Sequence, residues 1–192
     1  MKYEAKAWKE TEGACLRNFN EQAQIDSVNG ALALRPQIEK IIDQIWEEGF
    51  DGIYFIGIGG TYASSMQVEV YMRGRSKLPV FVENAAEFLT TGNKFTNKSV
   101  VIISSVSGNT KEMVELVDRV HEKGAKVFSF IDNPGTTLTQ PDKQDYLIVY
   151  PMNEQLKFYM VANYLMYKNG EFDDYDRYNK EMEANLADVL AQ

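Results

Sequence analysis

An apolar run, Ile53 to Ile58, ends in Gly57, Gly59 and Gly60, and hydroxyl side chains follow at once at Thr61, Tyr62, Ser64 and Ser65. A helical pattern then begins. A buried strand turning sharply into a helix produces this sequence. Glycines permit positive φ and let a second backbone or a ligand come close. The first turn of a helix leaves N–H groups unpaired at the positive end of its dipole. An anion, most often phosphate, binds there. The spacing is not G-x-G-x-x-G, because position 62 is Tyr, and it is not a Walker loop, because no Gly-Lys-Ser/Thr follows. By itself the loop also fits a tight turn with no ligand.

The rest of the chain repeats the alternation. Ile38, Ile41, Ile42, Ile45 and Trp46 fall at i, i+3, i+4, i+7 and i+8, one helical face, with Pro36 in the first turn and Gly49 at the end. After the glycine loop a helix is expected over 61–74, a strand over 78–83 and a short helix over 84–89. A strand follows over 99–104, a helix over 111–123 stopped by Gly124, and strands over 126–131 and 145–149. Helices over 153–168 and 175–190 close the chain. Residues 4–20 read as a helix carrying Trp8, Cys15 and Phe19; residues 21–30 read as polar and irregular, or helical in part. The strands are continuous apolar runs, which mark a parallel sheet covered on both faces. Right-handed crossovers then give an α/β, three-layer αβα sandwich with five strands in the flavodoxin-like order 2-1-3-4-5. Residues 1–32 are expected as a helical appendage, 33–170 as the core domain and 171–192 as a C-terminal helix.

Ligands of such folds sit outside the carboxyl ends of the strands, at the switch point between strands one and three. The loop after strand three is Ser104-Ser-Val-Ser-Gly-Asn-Thr110. It is rich in hydroxyls, and Thr110 can cap the next helix. It contains neither Lys nor Arg, so an anion there is held by neutral donors and a helix dipole. Capping chemistry alone also explains such a loop. Two of them meeting at the switch point favour a ligand site.

These loops resemble those of the sugar isomerase (SIS) domain family. Ile58-Gly-Gly-Thr-Tyr-Ala-Ser64 matches the Gly-Thr/Ser-rich loop after strand one, and Ser105-Val-Ser-Gly-Asn-Thr110 matches a Ser-x-Ser-Gly-x-Thr loop after strand three. Asn133-Pro-Gly-Thr-Thr-Leu138 is similar to a third turn, after strand four. The resemblance covers roughly 33–167. It implies a phosphosugar cradled by Gly59, Gly60, Thr61, Ser105, Ser107, Gly108, Asn109 and Thr110, with Glu154 bonding sugar hydroxyls or serving as a candidate base. Within the family the chain resembles the isomerase and deglycase branch, which includes glucosamine-6-phosphate synthase and the fructosamine- or fructoselysine-6-phosphate deglycases. Those proteins hold tandem SIS domains, with a catalytic Glu and a ring-opening His in the second. The resemblance therefore implies the N-terminal half of such an enzyme, or a single-domain relative, inactive alone. The other readings are a non-catalytic sugar-phosphate sensor and an excised structural domain. Neither a metal nor another cofactor is implied.

Composition bounds the alternatives. The 192 residues carry a formal charge of −8, which disfavours nucleic acid as partner. Cys15 is the sole cysteine and His121 the sole histidine, so a thiolate metal cluster, a multi-histidine site and a His-based triad at the loops are not expected. The N-terminus lacks a signal-like apolar core and no stretch reaches membrane-spanning length, which points to a cytoplasmic protein. The helix over 153–168 is apolar nearly all round, too wide for a solvent-facing helix. Association with a second copy, or with a second SIS domain, is expected to cover the excess.

Overall fold

The computed structural model describes residues 21–91 and 94–190. The elements run α1 (Glu21–Leu32), α2 (Arg35–Glu48), β1 (Ile53–Gly57), α3 (Gly60–Arg73), β2 (Val80–Asn84), α4 (Ala85–Thr91), β3 (Val100–Ser105), α5 (Lys111–Glu122), β4 (Lys126–Ile131), β5 (Tyr146–Val149), α6 (Glu154–Lys168) and α7 (Tyr175–Leu190). Short 3-10 turns at Thr137–Thr139 and Pro141–Lys143 join β4 to β5. The five strands are parallel, in the expected order β2-β1-β3-β4-β5. Ile53 pairs with Val80 on one side and Val100 on the other.

Every residue of β1 and β3 is buried, as strands covered on both faces must be. Alternate side chains feed two cores. Phe55, Ile102, Phe128 and Phe130 meet Ile38 and Ile42 of α2, Val68 and Met72 of α3, and Phe158 and Val161 of α6. Tyr54, Ile56, Val101 and Ile103 meet Phe88 of α4, Met113 and Val117 of α5, and Leu138. The sheet thus lies between two helical layers. At its centre the Phe158 ring stands edge-on to Phe55, with ring centroids 5.3 Å apart. It stands edge-on to Phe130 as well, at 5.9 Å. Aromatic pairs favour this geometry.

Two expectations change. Residues 21–30, read as irregular or helical in part, belong to the regular helix α1. Val28, Ala31 and Leu32 are buried in it. Tertiary packing on α6 and α7 overrides a weak local pattern, as it does for most helices. The second change concerns α6. Much of its apolar circumference is covered within the chain: Phe158, Met160, Val161, Ala162, Leu165 and Met166 are all buried. The neighbours α2, α3, α7 and α1 account for that. Tyr167 near the end of α6 is 43% exposed, and exposed apolar side chains also lie on α3, at Met66 and Val70, 41% and 66% exposed. The expected helix over 4–20, with Trp8, Cys15 and Phe19, lies outside the described residues. No described helix is long and apolar enough to cross a membrane.

Phe158 carries the contact between α6 and the sheet. Phe158→Ala is expected to cost about 3–5 kcal/mol of unfolding free energy in a denaturant titration, the range for a buried aromatic cut to Ala. A loss below about 1 kcal/mol, the size of an average substitution, would contradict this packing.

Candidate functional site

β1 ends at Gly57 because the chain must turn there against α3. A Cβ on Gly57 would lie 2.5 Å from the Tyr62 nitrogen and 2.7 Å from Thr61 Oγ1. Only glycine fits. Gly59 takes φ 60° and starts α3. The Thr61 hydroxyl closes the turn. It accepts from the Ile58 N–H and donates to the Ile58 carbonyl, both at 3.1 Å. Gly60 and Thr61 thereby sit at the first turn of α3, at the carboxyl edge of the sheet.

The β3 loop is built the same way. Ser105 Oγ accepts from the Gly108 N–H at 3.1 Å, and Ser107 Oγ accepts from the Asn109 N–H at 3.2 Å. Gly108 has φ 64°, and a Cβ there would lie 2.0 Å from Thr136 Oγ1. Its carbonyl accepts from the Leu138 N–H at 2.9 Å, which fastens the β4 loop behind it. Asn109 completes that junction. Its Oδ1 accepts from the Thr137 N–H and hydroxyl, and its amide donates to the Ser107 carbonyl. Thr110 occupies the N-cap position of α5, but its hydroxyl lies 3.1 Å from Ser107 Oγ and makes no cap bond to the helix. The expected capping role is thus replaced by a hydroxyl pair.

Between these loops opens a pocket of about 770 Å³. That is within the usual size for small-ligand sites. Gly60, Thr61, Ser105, Ser107, Thr110 and Glu154 line it together. Gly59, Gly108 and Asn109 lie in the loops that shape it and not in its lining. Glu83 and Asn84, at the end of β2, lie outside it; the Asn84 side chain accepts from the Ala86 N–H at 3.0 Å. The amino ends of α3, α5 and α6 all reach the pocket, so three positive dipole ends converge. Glu154, in the first turn of α6, is the one charged side chain among the described lining residues. His121 lies at the opposite edge of the sheet, 3.1 Å from Asp145 Oδ2 just before β5.

The burial of Ser104 and Lys157 escapes a sequence reading, while Asn133 opens the turn after strand four that is similar to the third SIS turn. Ser104 lines the pocket at 1% exposure, and its hydroxyl has no partner among the described residues. Asn133 lines it too, held by a 2.6 Å bond from its amide to the Val106 carbonyl. Behind the wall, Lys157 is fully buried. Its ammonium donates to the Tyr150 carbonyl at 2.8 Å and lies 3.4 Å from Asp132 Oδ1. Burial pushes that ammonium below the usual lysine range, while Asp132 and then Glu154 draw it back up. The available signal was a lone lysine inside the apolar helix α6, since lysine is seldom buried without a partner.

A family model for the SIS domain matches residues 50–167, which span β1 to α6. The glutamine–fructose-6-phosphate aminotransferase (isomerizing) of Fusobacterium nucleatum is 27% identical over 141 residues, 67% of this chain and 23% of that protein. Its namesake from Methanococcus maripaludis is 32% identical over 104 residues, 54% of this chain and 17% of that protein. This chain thus spans less than a quarter of either. Among solved structures, the C-terminal domain of the Francisella tularensis glucosamine-fructose-6-phosphate aminotransferase superposes with a TM-score of 0.71 at 15% identity, over 87% of this chain and 52% of that one. An Escherichia coli CFT073 protein in complex with A5P gives 0.65 at 15% identity, over 92% of this chain and 99% of that one. At such identities the superpositions show the fold. The family model covers more than half of the chain and its loops coincide with the pocket: this protein belongs to the SIS domain family.

Proposed function

We propose that the chain binds a sugar 6-phosphate in the pocket between the β1 and β3 loops, and that it serves as one half of a sugar-phosphate isomerase or fructosamine-6-phosphate deglycase. The observation that carries the reading is a convergence on one pocket of sugar-phosphate size: three helix amino ends meet the hydroxyls of Thr61, Ser105, Ser107 and Thr110. Ser105, Ser107, Thr110 and the first turns of α3 and α5 would hold the phosphate. The buried Ser104 hydroxyl, unpartnered among the described residues, supports this, because a polar group left unsatisfied there gains a partner on binding. Glu154 would face the sugar, as a hydroxyl ligand or, in a complete enzyme, as the carboxylate that moves a proton beside the carbonyl of the open-chain sugar. The relatives whose names include fructose 6-phosphate and the A5P-bound neighbour lend the substrate class. Phosphate contacts supply orientation rather than chemistry. A sensor without catalysis would use the same pocket, and the placement of His121 across the sheet favours that reading for the chain alone.

Ser105→Ala combined with Thr110→Ala is expected to weaken fructose 6-phosphate binding by about 1–3 kcal/mol per lost donor, read by calorimetry, with the domain still folded. Unchanged affinity in the folded double variant would reject the site.

The exposed face of α3 is where a second copy would dock. Met66, Val70, Tyr71 and Tyr159 line an apolar groove of about 580 Å³. The same helix lines the pocket at Gly60, Thr61 and Ser64. A two-fold dimer with one self-complementary patch is the simplest closed solution. Such a dimer should bury more than about 1,000 Å². Light scattering after size exclusion is expected to give twice the chain mass, and Val70→Asp to give the single mass. A single-chain mass for the unmodified protein at high micromolar loading would contradict the dimer.

A further inference from the structure

The pair Lys157–Asp132 lies outside the pocket lining, and phosphate binding gives it no role. Yet it joins both ends of one wall. Asp132 follows β4 and precedes Asn133, which lines the pocket. Its Oδ2 accepts from the Met152 N–H at 3.0 Å, on the segment between β5 and α6. Its Oδ1 faces the Lys157 ammonium, which also holds the Tyr150 carbonyl of that segment. The same ammonium lies 5.7 Å from the centre of the Phe130 ring. Lys157 stands one helical turn after Glu154, so Glu154 is fixed on one side by the helix and on the other by the tied segment.

That segment needs holding. Met152 takes φ 61 and Asn153 φ 57, two left-handed residues in succession. Side chains adopt this conformation rarely. Such backbone persists where its surroundings over-determine it, and it clusters at functional sites. Here it is held from both sides. The Asn153 amide donates to Ser27 Oγ of α1 at 2.7 Å, and the Tyr150 hydroxyl donates to the Ser27 carbonyl at 2.8 Å. An apolar residue at 157 would serve the core as well or better, since burying an ion pair is costly. The ion pair therefore calls for a role in geometry.

We propose that Lys157 and Asp132 are positioning residues: a buried clamp that sets Glu154 and Asn133 in place against the sugar portion of the bound ligand. The ligand half rests on the sugar-phosphate reading above; the clamp is a property of the free protein. Lys157→Met alone strands a buried carboxylate, so the deciding variant is Lys157→Met/Asp132→Asn, which removes both charges and keeps the volumes. Hydrogen–deuterium exchange on the ligand-free chain reads the clamp. Amides 152–155 should exchange at least tenfold faster in the double variant, with those of β3 unchanged. Calorimetry reads the consequence. Fructose 6-phosphate should bind at least tenfold more weakly, while affinity for inorganic phosphate stays within twofold. Unchanged exchange at 152–155 in the folded double variant overturns the clamp. Faster exchange with unchanged fructose 6-phosphate affinity, or a parallel loss of both affinities, overturns the positioning role. If the unmodified chain binds neither probe, the sugar-phosphate reading has failed, and the exchange result alone decides the clamp.

Discussion

The site depends on how closely α3 can approach the end of β1. Without a side chain at Gly57, the Tyr62 nitrogen comes within 2.5 Å of where a Cβ would stand. That approach lets the Thr61 hydroxyl bridge both backbone groups of Ile58 and brings the amino end of α3 beside the β3 loop. A second glycine does the matching task across the cleft. Gly108 leaves room for Thr136 and lets the β4 loop close behind the β3 loop. The pocket is what remains between two turns that only glycine permits.

Charge would not have suggested an anion site. The chain is acidic, at −8, and the described pocket lining offers Glu154 but no cation. The magnitudes resolve the difficulty. A helix dipole contributes about 0.3–1 kcal/mol to a nearby charge, and up to about 2 kcal/mol when partly buried. A hydrogen bond to a charged group contributes about 1.5–3 kcal/mol. Several hydroxyl and N–H donors therefore outweigh the dipoles, and on the proposed reading they would together hold an anion without lysine or arginine. Lys157, paired with Asp132, stays behind the wall and does not enter the pocket.

The sheet was legible because its strands carry unbroken apolar runs, and the order followed from crossover handedness. Strand β4 falls on the expected residues, and α7 does too. Helix α1 was hidden because its stability comes from packing on α6 and α7, which no local window contains. Thr110 was misjudged for a related reason. Its type fits an N-cap, but the Ser107 hydroxyl competes for it across three residues. Among site residues, the glycines and hydroxyls stood out because motif and backbone constraint coincide. Ser104 and Lys157 did not, because burial and an absent partner are properties of the folded chain.

The central claim is that the β1 and β3 loops form one ligand site. It is tested most directly by titrating the isotope-labelled chain with fructose 6-phosphate and following its amide resonances. The account predicts that the amides of Gly60, Thr61 and Tyr62 and those of Ser107 to Lys111 shift together along a single saturating curve, with those around His121 unmoved. Shifts confined to the α3 groove, or the two loops responding with different affinities, would contradict it.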